Sequence, residues 1–401
     1  MKKTLTLSLI LSSALFGAAY QIPNNSINSA ALATANVANA HGADAAYYNP
    51  ANMVYNTDNH EIETSVTYVL LSSINYKSSD GNFDIDSKKH TVFIPSFHYV
   101  SKPLNDAGVR VGFSLVAPAG LTREWEDMPA SASAKKYALE TMEFNPTVAI
   151  PVTKDFSMAF GFRYVRAIAE IGLEHSAYNI DIEARDNSSF GYNIALSYNA
   201  TEALNISATY RSKITLDLQG SGDVNMNLGG GMTAYKSSAT MSVPVPANLI
   251  IAAAYTFNNK TTIEVTYDRT MWSAIQESNI DFEDPTAEAV LGVTSDKKWD
   301  DTTAYRLGIT HKLNETLTLM GGIAYSTNAA DEKYVSFSSP EADSMTYAFG
   351  GRYKLDDTLE FGLSVLYADY DDRTSNGGNY VNGRLSDRSA YTLTAGVNYK
   401  F

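Results

Sequence analysis

Three features of this 401-residue chain predict an all-β fold, a 14-stranded antiparallel transmembrane β-barrel with an N-terminal lumenal plug (hatch). Apolar and polar residues alternate with period two in stretch after stretch, as strands with one apolar face require. Tight and long connections alternate between those stretches. Residues 20–59, ahead of the first stretch, have no strand character at all.

Composition narrows the setting. There are 44 acidic and 30 basic side chains, a formal charge of −14, so binding driven by counterion release from phosphates is disfavoured and no nucleic-acid partner is expected. The absence of cysteine excludes disulfide scaffolds, Cys-ligated metals and thiol nucleophiles. Charged residues make up 18%, against about 25% in ordinary soluble domains, and tyrosines number 26. Hydrophobic residues reach 44% while the mean hydropathy is −0.19, so apolar side chains are interleaved with polar ones rather than pooled.

In chain order, residues 1–19 come first. Lys2 and Lys3 precede an apolar run from Leu5 to Phe16 that ends in Gly17-Ala18-Ala19, the pattern of a signal peptide directing export. No later run reaches the roughly 18 apolar residues of a spanning helix, so strands must do any crossing. Residues 20–59 are rich in Ala and Asn, as in the run from Ala30 to Ala40. Small side chains punctuated by Leu32 and Val37 suit compact turns inside a lumen better than a disordered tail, which is usually richer in charge and Pro. Residues 60–401 form the barrel.

The last strand is the clearest. Tyr391, Leu393, Ala395, Val397, Tyr399 and Phe401 alternate with Thr392, Thr394, Gly396, Asn398 and Lys400. Leu359, Phe361, Leu363, Val365 and Tyr367 repeat the pattern one strand earlier. Further runs begin near Glu61, Thr91, Val109, Thr141, Phe156, Phe190, Leu204, Thr240, Thr262, Thr303, Leu317 and Thr346. Such a series, with aromatics at the strand ends, fits a closed sheet in a bilayer. Connections such as 151–155, 199–203 and 257–260 are short, whereas 75–89, 118–138, 174–187, 219–235, 276–301, 328–344 and 371–388 read as long loops. Outer-membrane barrels keep short turns on the periplasmic side. With the apolar face toward lipid, Arg110, Arg163, Arg211, Arg306 and Arg352, with Glu143, Glu264 and Glu360, point into the lumen. Lipid-facing charges at mid-depth would cost about 2–4 kcal/mol each.

Catalytic patterns are lacking. The six histidines form no i, i+4 metal pair, no Gly-x-Ser-x-Gly elbow occurs, and Gly229-Gly230-Gly231 precedes no helix. The acidic loops lack a calcium-binding ligand ladder. Neither enzyme activity, cofactor nor metal is expected. A barrel lipase would need a Ser-His pair on the outer face, for which only His98 sits in mid-strand.

The chain resembles the FadL family of outer-membrane channels for long-chain fatty acids and other hydrophobic compounds. The resemblance begins at Tyr20-Gln21-Ile22 and at Tyr48-Asn49-Pro50-Ala51, which look like that family's hatch and its Asn-Pro-Ala signature. It continues through Leu139-Glu140-Thr141-Met142, Tyr210-Arg211-Ser212, Trp272-Ser273 and Ala304-Tyr305-Arg306 to Asn398-Tyr399-Lys400-Phe401. It implies a monomeric barrel, closed by the hatch, through which ligand leaves sideways into the wall. Tyr20, Asn49, Pro50 and Ala51 are then hatch residues. Pro118, Ala119 and Gly120 frame the lateral opening, because Gly120 falls at the family's wall kink. Lys297 matches a basic position at the ligand carboxylate, and the second basic position falls on Leu173. Arg163 would suit a carboxylate through its fork geometry. The expected cargo is a long-chain fatty acid or another hydrophobic small molecule. Aromatic or aliphatic hydrocarbons remain open, as, further off, does a general porin. The other expected partners are outer-membrane lipid and lipopolysaccharide.

Overall fold

A computed structural model describes residues 20–227, 231–376 and 381–401; the signal peptide expected over residues 1–19 lies outside the described residues. Fourteen wall strands close into one antiparallel barrel. They are β1 (Glu61–Leu71), β2 (His90–Val100), β3 (Arg110–Val116 and Gly120–Glu124), β4 (Lys136–Pro151), β5 (Phe156–His175), β6 (Tyr178–Asn199) and β7 (Leu204–Arg211 and Ile214–Asn227). They continue as β8 (Met232–Val245 and Asn248–Phe257), β9 (Thr261–Thr270), β10 (Thr302–Lys312), β11 (Leu317–Ser326), β12 (Ser344–Lys354), β13 (Leu359–Tyr370) and β14 (Ser389–Lys400). Each strand pairs with the next, and β14 returns to β1, Glu61 opposite Lys400 through Leu71 opposite Ala390. Closure removes the free edges that a bilayer would leave unsatisfied.

The alternation read from sequence sets the two faces. Phe361, Leu363 and Val365 on β13, and Tyr391 and Leu393 on β14, are exposed on the outside, while Ser364, Thr392 and Thr394 are buried on the inside. The inward charges do lie inward: Arg110, Arg163, Arg352, Glu143 and Glu264 are all buried.

Two of the loops are continuations of wall strands instead, and a third, 276–301, carries a hairpin of Glu277–Phe282 and Val293–Asp296 that pairs with β8. β5 runs to His175 and β6 starts at Tyr178, so 174–187 is a ribbon with a tight turn; β7 likewise reaches Asn227 and β8 begins at Met232. Here the faces exchange character. Ile180, Ile182 and Ala184 are buried inside, whereas Asp181, Glu183 and Arg185 face out, because these strands have left the lipid and stand in water. The third strand also does not end at Pro118: it breaks over 117–119 and resumes at Gly120. Outside, Asn75–Ser78, Asp84–Asp86, Arg373–Asn376 and Asn382–Ser386 form a separate four-stranded sheet over a core of Trp125, Phe337 and Tyr76.

Residues 20–59 pack against the inward face of the wall on several sides, from β2–β6 round to β11–β14. Inward glycines make this approach close. A Cβ on Gly322 would lie 2.1 Å from the Leu32 carbonyl carbon, and one on Gly362 would lie 2.7 Å from Ile27.

Candidate functional site: a lysine cavity beside a gap in the wall

The wall is incomplete between β2 and β3. Only Phe97–Val100 pair with Gly112–Leu115, although β4 pairs with both halves of β3. Above Phe97 the next backbone contact on that side is from Lys88 N–H to the Glu124 carbonyl, 2.9 Å. The N-terminal segment fills the vacancy on the lumenal side. Ile22 N–H donates to the Pro118 carbonyl at 3.0 Å, Gly120 N–H to the Tyr20 carbonyl at 2.7 Å, and Gln21 bridges Ala119. Pro118 has no N–H to give, which suits a place where the ladder stops. The Asn25 side chain accepts from Ala117 N–H at 3.3 Å, closing the remainder.

Tyr20 joins this seam to a cavity of about 100 Å³. Its ring packs edge-on against Trp272, centroids 4.9 Å apart, and lies 6.2 Å from Trp299; its hydroxyl donates to the Pro244 carbonyl. Trp299, Tyr137, Leu139, Ile171 and Val243 line the cavity with Lys297. Burial in this apolar setting pushes the Lys297 ammonium down to about 8, partly opposed by the Glu341 carboxylate. Leu173 packs against the same apolar cluster but does not line the cavity.

Arg163 belongs elsewhere. It borders a second cavity of about 80 Å³, beyond Gln21 and Ile22. Its guanidinium is already engaged by Glu143, at 2.8 and 3.1 Å, and by the Ser212 carbonyl at 2.7 Å. Arg211 also pairs with Glu143 and stacks over the Tyr47 ring at 4.1 Å. The sequence thus grouped Lys297 with an arginine that does not share its cavity, because lumenal parity says which face a residue is on but not how deep it lies.

The Asn-Pro-Ala signature has a local reason. Asn49 caps the short helix Pro50–Tyr55, its side chain accepting from Ala51 N–H at 3.2 Å, and Pro50 occupies the first helical position, where no donor is needed. The Asn49 amide donates onward to the Val37 carbonyl and to Ser207 on β7, at 2.9 and 3.0 Å. Ala51 is fully buried, and its carbonyl accepts from Ser157 on β5.

Residues 8–401 match the model of the family described as "Outer membrane protein transport protein (OMPP1/FadL/TodX)". The chain belongs to this family. Among curated relatives it is 25% identical to outer membrane protein P1 of Haemophilus influenzae, over 76% of this chain and 72% of that one. It is 23% identical to the long-chain fatty acid transport protein of Escherichia coli O6:H1, over 78% and 77%. The fold matches the crystal structure of a Pseudomonas aeruginosa FadL homologue, TM-score 0.81 at 16% identity, over 96% of this chain and all of that one. It also matches the Pseudomonas putida toluene transporter TodX, TM-score 0.76 at 17% identity, over 94% and 99%. This FadL/TodX-family chain is therefore an outer-membrane transport protein of Gram-negative type.

Several contacts in this family member escaped sequence reasoning. Glu264 on β9 accepts the consecutive amides of Val37, Ala38 and Asn39 at 2.7, 3.1 and 2.7 Å. Arg352 on β12 reaches Asn28, Glu63 and Glu360 at 2.6, 2.5 and 3.0 Å. Parity put both side chains inside; nothing in the sequence named their partners. The available signal was glycine on the inward face, at Gly308, Gly322, Gly350 and Gly362, which marks close backbone approach. His98 is buried inward, its Nε2 donating to the Asn25 carbonyl at 2.8 Å, so it is not on the lipid face a barrel lipase would need.

Proposed function

We propose that the chain is a passive, monomeric channel that takes hydrophobic molecules, foremost long-chain fatty acids, into the lysine cavity and releases them sideways between β2 and β3, with residues 20–59 acting as the hatch. Lys297 carries this reading. A half-buried ammonium among aromatic and aliphatic side chains complements one carboxylate on an apolar body, in competition with the nearby Glu341 carboxylate. Each CH₂ of the cargo gains roughly 0.8 kcal/mol by staying out of water, so a route from cavity to bilayer avoids rewetting it. The missing ladder at β3 supports that route, since a closed strand pair would have to break backbone bonds to open.

Cavity size favours a second reading. A dry apolar cavity of roughly 150 Å³ accommodates benzene, so about 100 Å³ is nearer the scale of a small aromatic molecule than of an acyl chain, with Tyr20, Tyr137 and Trp299 among its walls. Lys297→Met separates the two. Oleate binding should weaken tenfold or more while toluene binding holds; equal loss of both would end the carboxylate reading.

The exit is tested with cysteines, of which the chain has none of its own. Gln21 and Ala119 face each other across an antiparallel bridge, within disulfide reach. Oxidising a Q21C/A119C pair should lower oleate uptake severalfold, with reductant restoring it. Uptake indifferent to oxidation would refute exit beside β3.

A further inference from the structure

The wall has a second interruption, between β6 and β7. Asn193–Asn199 pair with Asn205–Arg211, and Tyr178–Arg185 pair with Gln219–Met226, but residues 186–191 and 213–218 between them form no ladder. A one-residue bulge in β6 explains part of this: against β5, pairing jumps from Val165–Ser189 to Ala167–Asp186. β7 breaks at 212–213, between its two segments. The two irregularities compensate, so register is the same on either side. Between them the pleats are out of phase, and backbone donors no longer face acceptors.

Side chains hold this seam instead. The Asp186 carboxylate accepts from Asp217 N–H on β7 and from Ser188 N–H, both at 2.8 Å. The Ser189 hydroxyl reaches the Thr215 carbonyl at 2.6 Å, and Tyr192 N–H donates to the Ser212 hydroxyl at 2.9 Å. Behind the seam lie buried Val165, Ala167, Ile214 and Leu216, part of the apolar cluster that continues to the lysine cavity. In front, toward lipid, the Phe162, Tyr164 and Phe190 rings form a row with centroids 5.4 to 5.5 Å apart, and Phe190 is 55% exposed. Gly191 sits between; a Cβ there would lie 2.7 Å from Ile214 Cγ1.

We infer that the β6–β7 seam, clasped by Asp186 and Ser189, is a second lateral portal through which apolar cargo passes between the lysine cavity and the bilayer without crossing the Tyr20–Ile22 strap. The inference rests on sideways release as the mode of transport. Opening it over residues 186–191 exchanges a few side-chain bonds and stops at the backbone bond from Ser212 N–H to the Tyr192 carbonyl, 2.9 Å. Buried Leu216 and Ile214 lie on the lumenal side of the seam and exposed Phe190 on the lipid side, so apolar surface flanks the polar clasp on both faces.

The test uses the G191C/I214C pair, placed where the Gly191 Cβ would meet the Ile214 side chain, in the otherwise cysteine-free chain. With assembly checked by heat-modifiable gel migration, oxidation should lower oleate uptake at least twofold, reductant should restore it, and combination with oxidised Q21C/A119C should remove the remainder. Unchanged uptake on oxidation overturns the seam while leaving the β3 exit standing. Complete loss from Q21C/A119C alone overturns it too, since no flux would remain for a second route. An effect of G191C/I214C without one from Q21C/A119C keeps the seam and rejects the β3 exit. If the pair does not assemble, Asp186→Ala supplies the readout: releasing the clasp should raise uptake at least twofold, and an unchanged rate overturns the portal.

Discussion

The two flanks of residues 20–59, the proposed hatch, are held in different ways. Toward β9–β13 and β1 it is fixed by buried charge: Glu264 grips three consecutive amides, Arg352 ties Asn28 to Glu63 and Glu360, and Arg306 links the Ala33 carbonyl to Asp268. Where β3 breaks, the N-terminal edge is held by a short backbone bridge at a place where the wall itself has no ladder, although at the start of β3 Arg110 also grips the Asn56 and Thr57 carbonyls at 2.8 Å each. Buried charged networks are strong and slow to rearrange, whereas a two-bond bridge opens locally. With residues 20–59 as the proposed hatch, this contrast predicts a body that peels first at its N-terminal edge.

Loss of the anchor should do most damage. Glu264→Ala leaves three buried amides without an acceptor, at about 1–3 kcal/mol each. Purified barrel in planar bilayers should pass from low conductance to open-pore steps, and Glu264→Gln, which keeps one acceptor oxygen, should fall between. Arg352→Met comes next. It strands Glu63, 1% exposed, inside the barrel; breaking such a pair costs about 3–5 kcal/mol. Limited proteolysis should then cut within 20–59, and the anchoring picture fails if the segment stays protected in both variants.

Asp44 sharpens the comparison through pH. Its carboxylate accepts from Ser26, Asn28 and Asn36 at 2.8, 3.1 and 3.0 Å, yet it is wholly buried. Burial, then the nearby Glu63, push it up to about 7, with Arg352 and the hydrogen bonds pulling the other way. A carboxylate raised on seating stabilises the seated hatch in acid. That contribution is complete below about 4 and is lost as pH rises toward about 7. Conductance bursts should therefore become severalfold more frequent between pH 5 and pH 8. Asp44→Asn should flatten the profile; a profile unchanged by that substitution would remove Asp44 from the anchor.

The fold was legible because lipid enforces a simple code. Phe361, Leu363 and Val365 could not face inward without turning Ser364 toward acyl chains, so faces, strand count and short turns followed from period two alone. The code fails where the solvent changes. Ile180, Ile182 and Ala184 obey the same period with opposite meaning, so a water-exposed ribbon read as a loop. The site was legible only in outline. Lys297 and the Pro118–Gly120 kink came from family resemblance. The seat of the hatch depends instead on pairings such as Glu264 with Val37, separated by 227 positions, for which local pattern holds no record.

The smallest effect belongs to the peeling edge. Tyr20→Phe removes one hydroxyl donated to the Pro244 carbonyl and retains the ring against Trp272 and Trp299. A neutral hydrogen bond contributes about 1 kcal/mol net, so the hatch edge should lift some fivefold more often. That change is too slight to alter barrel melting but large enough to speed oleate uptake where release is limiting. Tyr20→Ala should behave differently, because it also empties one wall of the lysine cavity and should weaken oleate binding while freeing the edge. If Phe and Ala gave the same uptake and the same affinity, Tyr20 would serve only as a strap, and the connection drawn from cavity to kink through its ring would be wrong.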